Sequence, residues 1–183
     1  IRFETLDATD AIKSRSRGTT TGDLVKAGEA IDMLSSGDMD LQHVFSVNRE
    51  VTLRSLNNLL VDLLESPRHQ QLNAGGNMTI GTATSGATQT LQVGGNLVFN
   101  QLNAQDWITS ASRGDTTGNE AVSVVGINMV AGQRADGQVA GGNLQVTRME
   151  APQMILRAGN QLYITDIYNV MQLSLQGDQI KSN

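Results

Sequence analysis

Read for hydrophobic and polar positions, the chain repeats one pattern: apolar–x–small–x–x–Asn–apolar–x–apolar. Leu53-x-Ser55-x-x-Asn58-Leu59-x-Val61 fits it. Leu72-x-Ala74-x-x-Asn77-Met78-x-Ile80 follows nineteen residues on, and Leu91-x-Val93-x-x-Asn96-Leu97-x-Phe99 nineteen further. Looser copies start at Met33 (with Asp38 for Asn), Val25, Ala140 (with Asn143) and Leu156 (with Gln161). Several copies in one register define a repeat protein. Apolar residues at alternate positions on both sides of each bend predict short strands. Gly75-Gly76-Asn77 and Gly94-Gly95-Asn96 are expected to supply positive φ at the bends. Two such strands cannot bury their own faces, so units must stack as a solenoid. The predicted class is all-β: a parallel β-helix of about eight coils spaced about 4.8 Å, a rod on the order of 40 Å long. Its register points Met78 and Leu97 inward, and Thr79 and Val98 outward.

Asn58, Asn77 and Asn96 fall at equivalent places, so their side-chain amides are expected to bond to one another in a ladder. The alternative is that Asn merely tolerates a left-handed turn beside Gly. One segment reads two ways. Leu53, Leu56, Leu60 and Leu63 have helical 3-4-3 spacing between Asn48 and Ser66-Pro67. The nineteen-residue phase running through the same segment favours strand, so at most one short helix is expected, within 51–65. A longer echo relates Ser16-Arg17-Gly18 to Ser112-Arg113-Gly114, and Ile31-Asp32-Met33 to Ile127-Asn128-Met129. It predicts either a larger duplicated block or two similar turn-rich loops near 14–23 and 110–119. The longest irregular stretch lies between Phe99 and Ala140.

Composition adds exclusions. With 183 residues the chain is one domain by size, and with 39% hydrophobic but 3% aromatic residues its core must be aliphatic. A net charge of −5 argues against a nucleic-acid or anionic-membrane surface. No apolar run approaches the roughly 20 residues of a membrane span. Absence of Cys removes disulfides, thiolate metal sites and Cys nucleophiles. The start at Ile1 without Met or a legible secretory signal, and the end at Lys181-Ser182-Asn183, read as a piece of a longer chain.

Candidate chemistry is sparse. No phosphate-binding glycine loop or Gly-x-Ser-x-Gly elbow is present. The Gly-Gly runs carry apolar residues where a calcium β-roll needs Gly and Asp, so calcium is not expected. His43 and His69 lack partners at metal-ligand spacing. No catalytic, cofactor or metal residue is therefore assigned. Asp106, Asp115, Asp136 and Asp166 would have to meet on one face to cleave a glycoside, and read more simply as solvated carboxylates. Arg17 and Arg113, with Arg15, would suit an anionic glycan, and an exposed Trp107 a sugar or protein. The plainer readings are solvated arginines and a Trp at a capped core position, with Tyr163 and Tyr168 equally open.

The repeat as written here, Leu-Asn-Ala-Gly-Gly-Asn-Met-Thr-Ile and Leu-Gln-Val-Gly-Gly-Asn-Leu-Val-Phe, resembles the haemagglutinin repeats of filamentous-haemagglutinin-like exoproteins. The resemblance runs from about residue 24 to 180. It implies a right-handed β-helix from a large bacterial protein exported by two-partner secretion through an outer-membrane transporter. Such proteins are secreted or cell-surface adhesins and contact-dependent growth-inhibition stalks, and the repeats carry no catalytic residues. The expectation is a single β-helical repeat segment over 1–183, a stalk without enzymatic activity or cofactor that meets a cell-surface receptor or glycan. The competing expectation is a polysaccharide-degrading β-helix enzyme or tailspike-like depolymerase.

Overall fold

The computed structural model of the chain describes residues 1–182, and those residues form nineteen strands and no helix. Long strands, most of eight residues, alternate with short ones of five or six. Long strands pair only with long ones in a ten-stranded sheet, and short with short in a nine-stranded sheet. All these pairings are parallel: Leu59, Met78 and Leu97 lie side by side, as do Leu53, Leu72 and Leu91. The molecule is a β-solenoid of nine coils closed by one further strand, Gln179–Ser182. This agrees with the parallel stack of about eight coils expected from the repeat.

Segment 51–65 is strand, Val51–Ser55 followed by Leu59–Ser66. Of the four leucines at helical spacing only Leu53 is buried, and Leu56 is 62% exposed at a corner. Parallel neighbours on both sides hold this backbone extended, which overrides the local periodicity. The expected register holds elsewhere too: Met78 and Leu97 are fully buried, Thr79 and Val98 exposed.

Each long strand bends at its middle. In Met78–Ser85 the buried residues are Met78, Ile80, Ala83 and Ser85, so the alternation slips a position at Gly81-Thr82, and Gly81 drops out of the paired register. A coil thus has three straight runs joined by two corners and one bend. The interior is mainly aliphatic, with Phe99 its buried ring, and in one column Gln70 and Gln89 replace the usual Ile or Val. Gln89 Nε2 shares its two protons among three acceptors, Gln70 Oε1 at 3.1 Å and the carbonyls of Ala83 and Asn103 at 2.9 Å. Gln70 Nε2 donates to the Thr84 carbonyl at 2.7 Å, so both amides are held in the core by main chain. At the corners, buried serines do similar work: Ser55 Oγ lies 2.7 Å from the Gly37 carbonyl and 2.8 Å from that of Asn58, with its one proton to give to either.

The corners correct two expectations. Among the described residues positive φ occurs at Gly132, Gly137, Gly141 and Asn169, not in the Gly-Gly-Asn triplets. Gly75 and Gly94 are there for close approach: a Cβ on either would stand 2.0 Å from the carbonyl oxygen of Leu56 or Gly75 one coil earlier. The Asn ladder exists, but with different bonds. Asn58 Oδ1 accepts from the backbone N–H of Asn77, Asn77 Oδ1 from Asn96, and Asn96 Oδ1 from Asp115, each at 2.9 Å. A corner N–H has left the sheet ladder and needs an acceptor, and the side-chain oxygen one coil back supplies it. Aspartate serves in the same column: Asp38 Oδ1 accepts from both nitrogens of Asn58, and Asp115 Oδ1 from both of Asn143.

Candidate functional site

Nineteen- and twenty-residue coils run without interruption to Ala131, and then the spacing jumps: Thr116 pairs with Leu144, twenty-eight residues on. Nine extra residues, 132–140, form a hairpin. Gln133 and Val139 bridge antiparallel, and the Arg134 N–H donates to the Gln138 carbonyl at 2.8 Å. Gly132 and Gly141 turn the chain out and back with φ of 82° and 87°. Cutting out 132–140 joins Ala131 to Gly141-Gly142-Asn143-Leu144, which restores the corner seen at Ala74-Gly75-Gly76-Asn77-Met78. The small residue of this copy is therefore Ala131, paired with Ser112 and Ala158, and not Ala140, which is exposed in the hairpin. Within 99–140 the irregularity is confined to this insertion, and 99–131 is regular solenoid.

The hairpin is pinned to the corner of the preceding coil, where the N–H groups of Gly132 and Gln133 donate to the carbonyls of Gly114 (3.0 Å) and Ser112 (2.8 Å). From there it overhangs the outer face of the short-strand sheet. Between overhang and sheet lies a groove of about 650 Å³. Its floor crosses five coils through the aligned positions Leu34, Arg54, Asn73, Gln92 and Ala111, a length of about 19 Å at the sheet spacing. Arg113 and Arg134 complete the end beneath the hairpin. No carboxylate and no aromatic ring lines this groove. None of the ion pairs among the described residues uses Arg54, Arg113 or Arg134.

The residues singled out from sequence fall in different places. Arg113 is exposed in the groove. Arg17 takes the same corner place five coils earlier, about 24 Å away along the rod, beyond the groove's far end. The 96-residue echo is thus five coil steps, and it requires no larger block. Segments 14–23 and 110–119 are not loops, since each runs from strand to strand around a three-residue corner. Trp107 is half-buried at the other corner with its ring over Gly126, where a Cβ would lie 2.5 Å from the ring.

The four carboxylates do not meet. Asp106 accepts from Thr88 Oγ1 at 3.2 Å at one corner, whereas Asp115 serves the Asn ladder at another. Asp136 sits in the hairpin tip, accepting from the Gln138 N–H, and Asp166 lies on the outer face of the long-strand sheet beside Arg148. Among the described residues no three His, Asp or Glu side chains are placed to share a metal ion. His43 pairs with Glu65 at 3.2 Å and leans on Phe45, while His69 is exposed. No helix of the described residues is long and apolar enough to cross a membrane.

Sequence reasoning passed over Arg54 and Arg134. Arg54 stands one coil before Asn73 and two before Gln92, a polar column legible at the same nineteen-residue spacing. Arg134 is bracketed by Gly132 and Gly137 in the stretch that breaks the repeat.

The fold and groove define a β-solenoid with one decorated face. No family model, curated protein or solved structure matches the chain.

Proposed function

We propose that the chain is a structural stalk and adhesive repeat segment of a large secreted or cell-surface bacterial exoprotein of the filamentous-haemagglutinin-like kind. The observation that carries this reading is coil uniformity: nine coils hold their register with one nine-residue departure, a build that supplies length and stiffness. The resemblance of the corner motif to haemagglutinin repeats supports the assignment to exported adhesins or growth-inhibition effectors, with an outer-membrane transporter as the partner in export. The dispersal of Asp106, Asp115, Asp136 and Asp166 weighs against the depolymerase reading, which needs two carboxylates flanking one bond.

A stalk tolerates loss of whole coils. Deleting residues 59–96 joins Asn58 to Leu97 in register and removes two nineteen-residue coils. The shortened chain is expected to keep its β-type circular dichroism, and its scattering length should fall by about 10 Å. Neither chain should shorten anionic or neutral polysaccharides on prolonged incubation, and chelator should leave the thermal midpoint unchanged. Depolymerisation by the intact chain, lost with the two coils, would overturn the reading.

A further inference from the structure

We propose that the groove between the short-strand sheet and the 132–140 hairpin binds a linear acidic polysaccharide, one bearing carboxylate or sulfate groups, laid along the solenoid axis. The proposal is independent of the stalk reading, since a groove of this kind would bind whatever the coils do for the parent protein.

The chain carries −5 overall, yet the groove gathers Arg54, Arg113 and Arg134 without a lining carboxylate, and none of the three is committed to an ion pair. Guanidinium groups in that state offer paired N–H donors to an anion at modest desolvation cost, because Arg54, Arg113 and Arg134 are all exposed.

Spacing decides between a glycan and an acidic peptide. Arg54, Asn73 and Gln92 occupy one position of three successive coils, so a planar polar side chain recurs about every 4.8 Å along the groove. An extended peptide advances about 3.3 Å per residue and returns to the same face only after about 6.6 Å, so its side chains fall out of step with that array. A linear glycan presents one ring with its hydroxyls per step of nearly the coil spacing, and stays in step. Small residues, Gly75, Gly94 and Ala111, stand among the groove lining beside the polar column. With no aromatic lining, recognition runs through hydrogen bonds and charge rather than ring stacking.

Nine residues added to a corner that would close without them are placed where they roof one end of the arginine-bearing groove and contribute Arg134 to it. Arg134 comes from the hairpin and Arg113 from the corner to which the hairpin is pinned, so the two arginines mark the roofed end of the groove, with Arg54 further along its floor.

The test is calorimetric titration of the whole chain with size-defined oligogalacturonate (carboxylated) and heparin oligosaccharides (sulfated). Neutral dextran and poly-glutamate serve as controls. One of the two acidic glycans should bind at one site per chain, more weakly as salt rises. Arg113→Ala and Arg134→Ala should each weaken it on the order of tenfold, the loss expected for a charge-assisted hydrogen bond. Arg17→Ala, at the same corner place outside the groove, should change affinity by less than about twofold. Removing residues 132–140 should weaken binding at least as much as Arg134→Ala with the solenoid still folded. The single-residue variants keep the test decisive if that deletion fails to fold. Absence of binding to either acidic glycan would overturn the proposal. So would equal binding of poly-glutamate, or equal losses from Arg17→Ala and Arg113→Ala.

Discussion

Met78→Asp is expected to lower the stability of the chain by about 4 kcal/mol or more, enough to unfold a domain of ordinary stability at moderate denaturant. Met78 is fully buried, between Leu59 and Leu97 in the long-strand sheet. A carboxylate there has no cation and no free donor, because the neighbouring N–H groups are taken by the sheet. Thr79→Asp, one residue along and exposed, should cost about 1 kcal/mol or less. Urea titrations of the two variants read the difference directly. Equal losses would mean that the strand is out of register by one residue, since a one-residue slip exchanges the two faces.

The second large effect concerns an aromatic seated on a glycine. Gly118 lies one coil after Phe99, and a Cβ there would stand 2.1 Å from the Phe99 ring. The same pairing recurs for Phe3 with Gly22 and Trp107 with Gly126, each nineteen residues apart. Where one coil carries a ring, the next gives up its side chain, and the two together fill the volume that two aliphatics fill elsewhere in the column. Val61 and Val146 hold that column in other coils. Gly118→Val alone is therefore expected to cost about 3 kcal/mol by overpacking. Phe99→Val alone leaves a cavity and should cost about 2 kcal/mol. In the Phe99→Val background, Gly118→Val should be near neutral or stabilising, with a coupling of about 3 kcal/mol between the two sites. Simple additivity in the double-mutant cycle would mean that the ring does not rest on Gly118.

The repeat, its register and the burial of Met78 and Leu97 were legible in the sequence because each depends on side chains that a nineteen-residue coil must place in a common interior. Segment 51–65 was legible only through that phase. Its leucines satisfy a helix taken alone, and the partners that make it strand lie twenty residues before and nineteen after. Other features depend on backbone positions that no side-chain pattern reports. Gly75 and Gly94 look like turn glycines with positive φ, yet what excludes a Cβ there is the carbonyl of the coil before. The mid-strand bend at Gly81-Thr82 was hidden because the motif ends at Ile80, just before the alternation slips. The burial of Gln70 and Gln89 follows from the carbonyls of Ala83, Thr84 and Asn103 that face them, which no apolar pattern reports. The groove was the least legible feature, since it exists only once the hairpin folds back over coils that lie up to a hundred residues earlier in the chain. In the sequence Arg113 stands out with Arg15 and Arg17 in turn-rich segments, whereas Arg54 and Arg134 join it only through the fold.

The central claim is that the coils stack in one unbroken column, and a single distance tests it. The chain has no Cys, so Lys13→Cys and Ser174→Cys accept spin labels without background. Both positions are exposed and belong to one outward column of the short-strand sheet, eight coil steps apart. Pulsed dipolar spectroscopy should give one narrow distribution centred near about 38 Å, eight sheet spacings end to end. A mean shorter by two coil spacings or more, or a broad distribution, would contradict the column and with it the stalk.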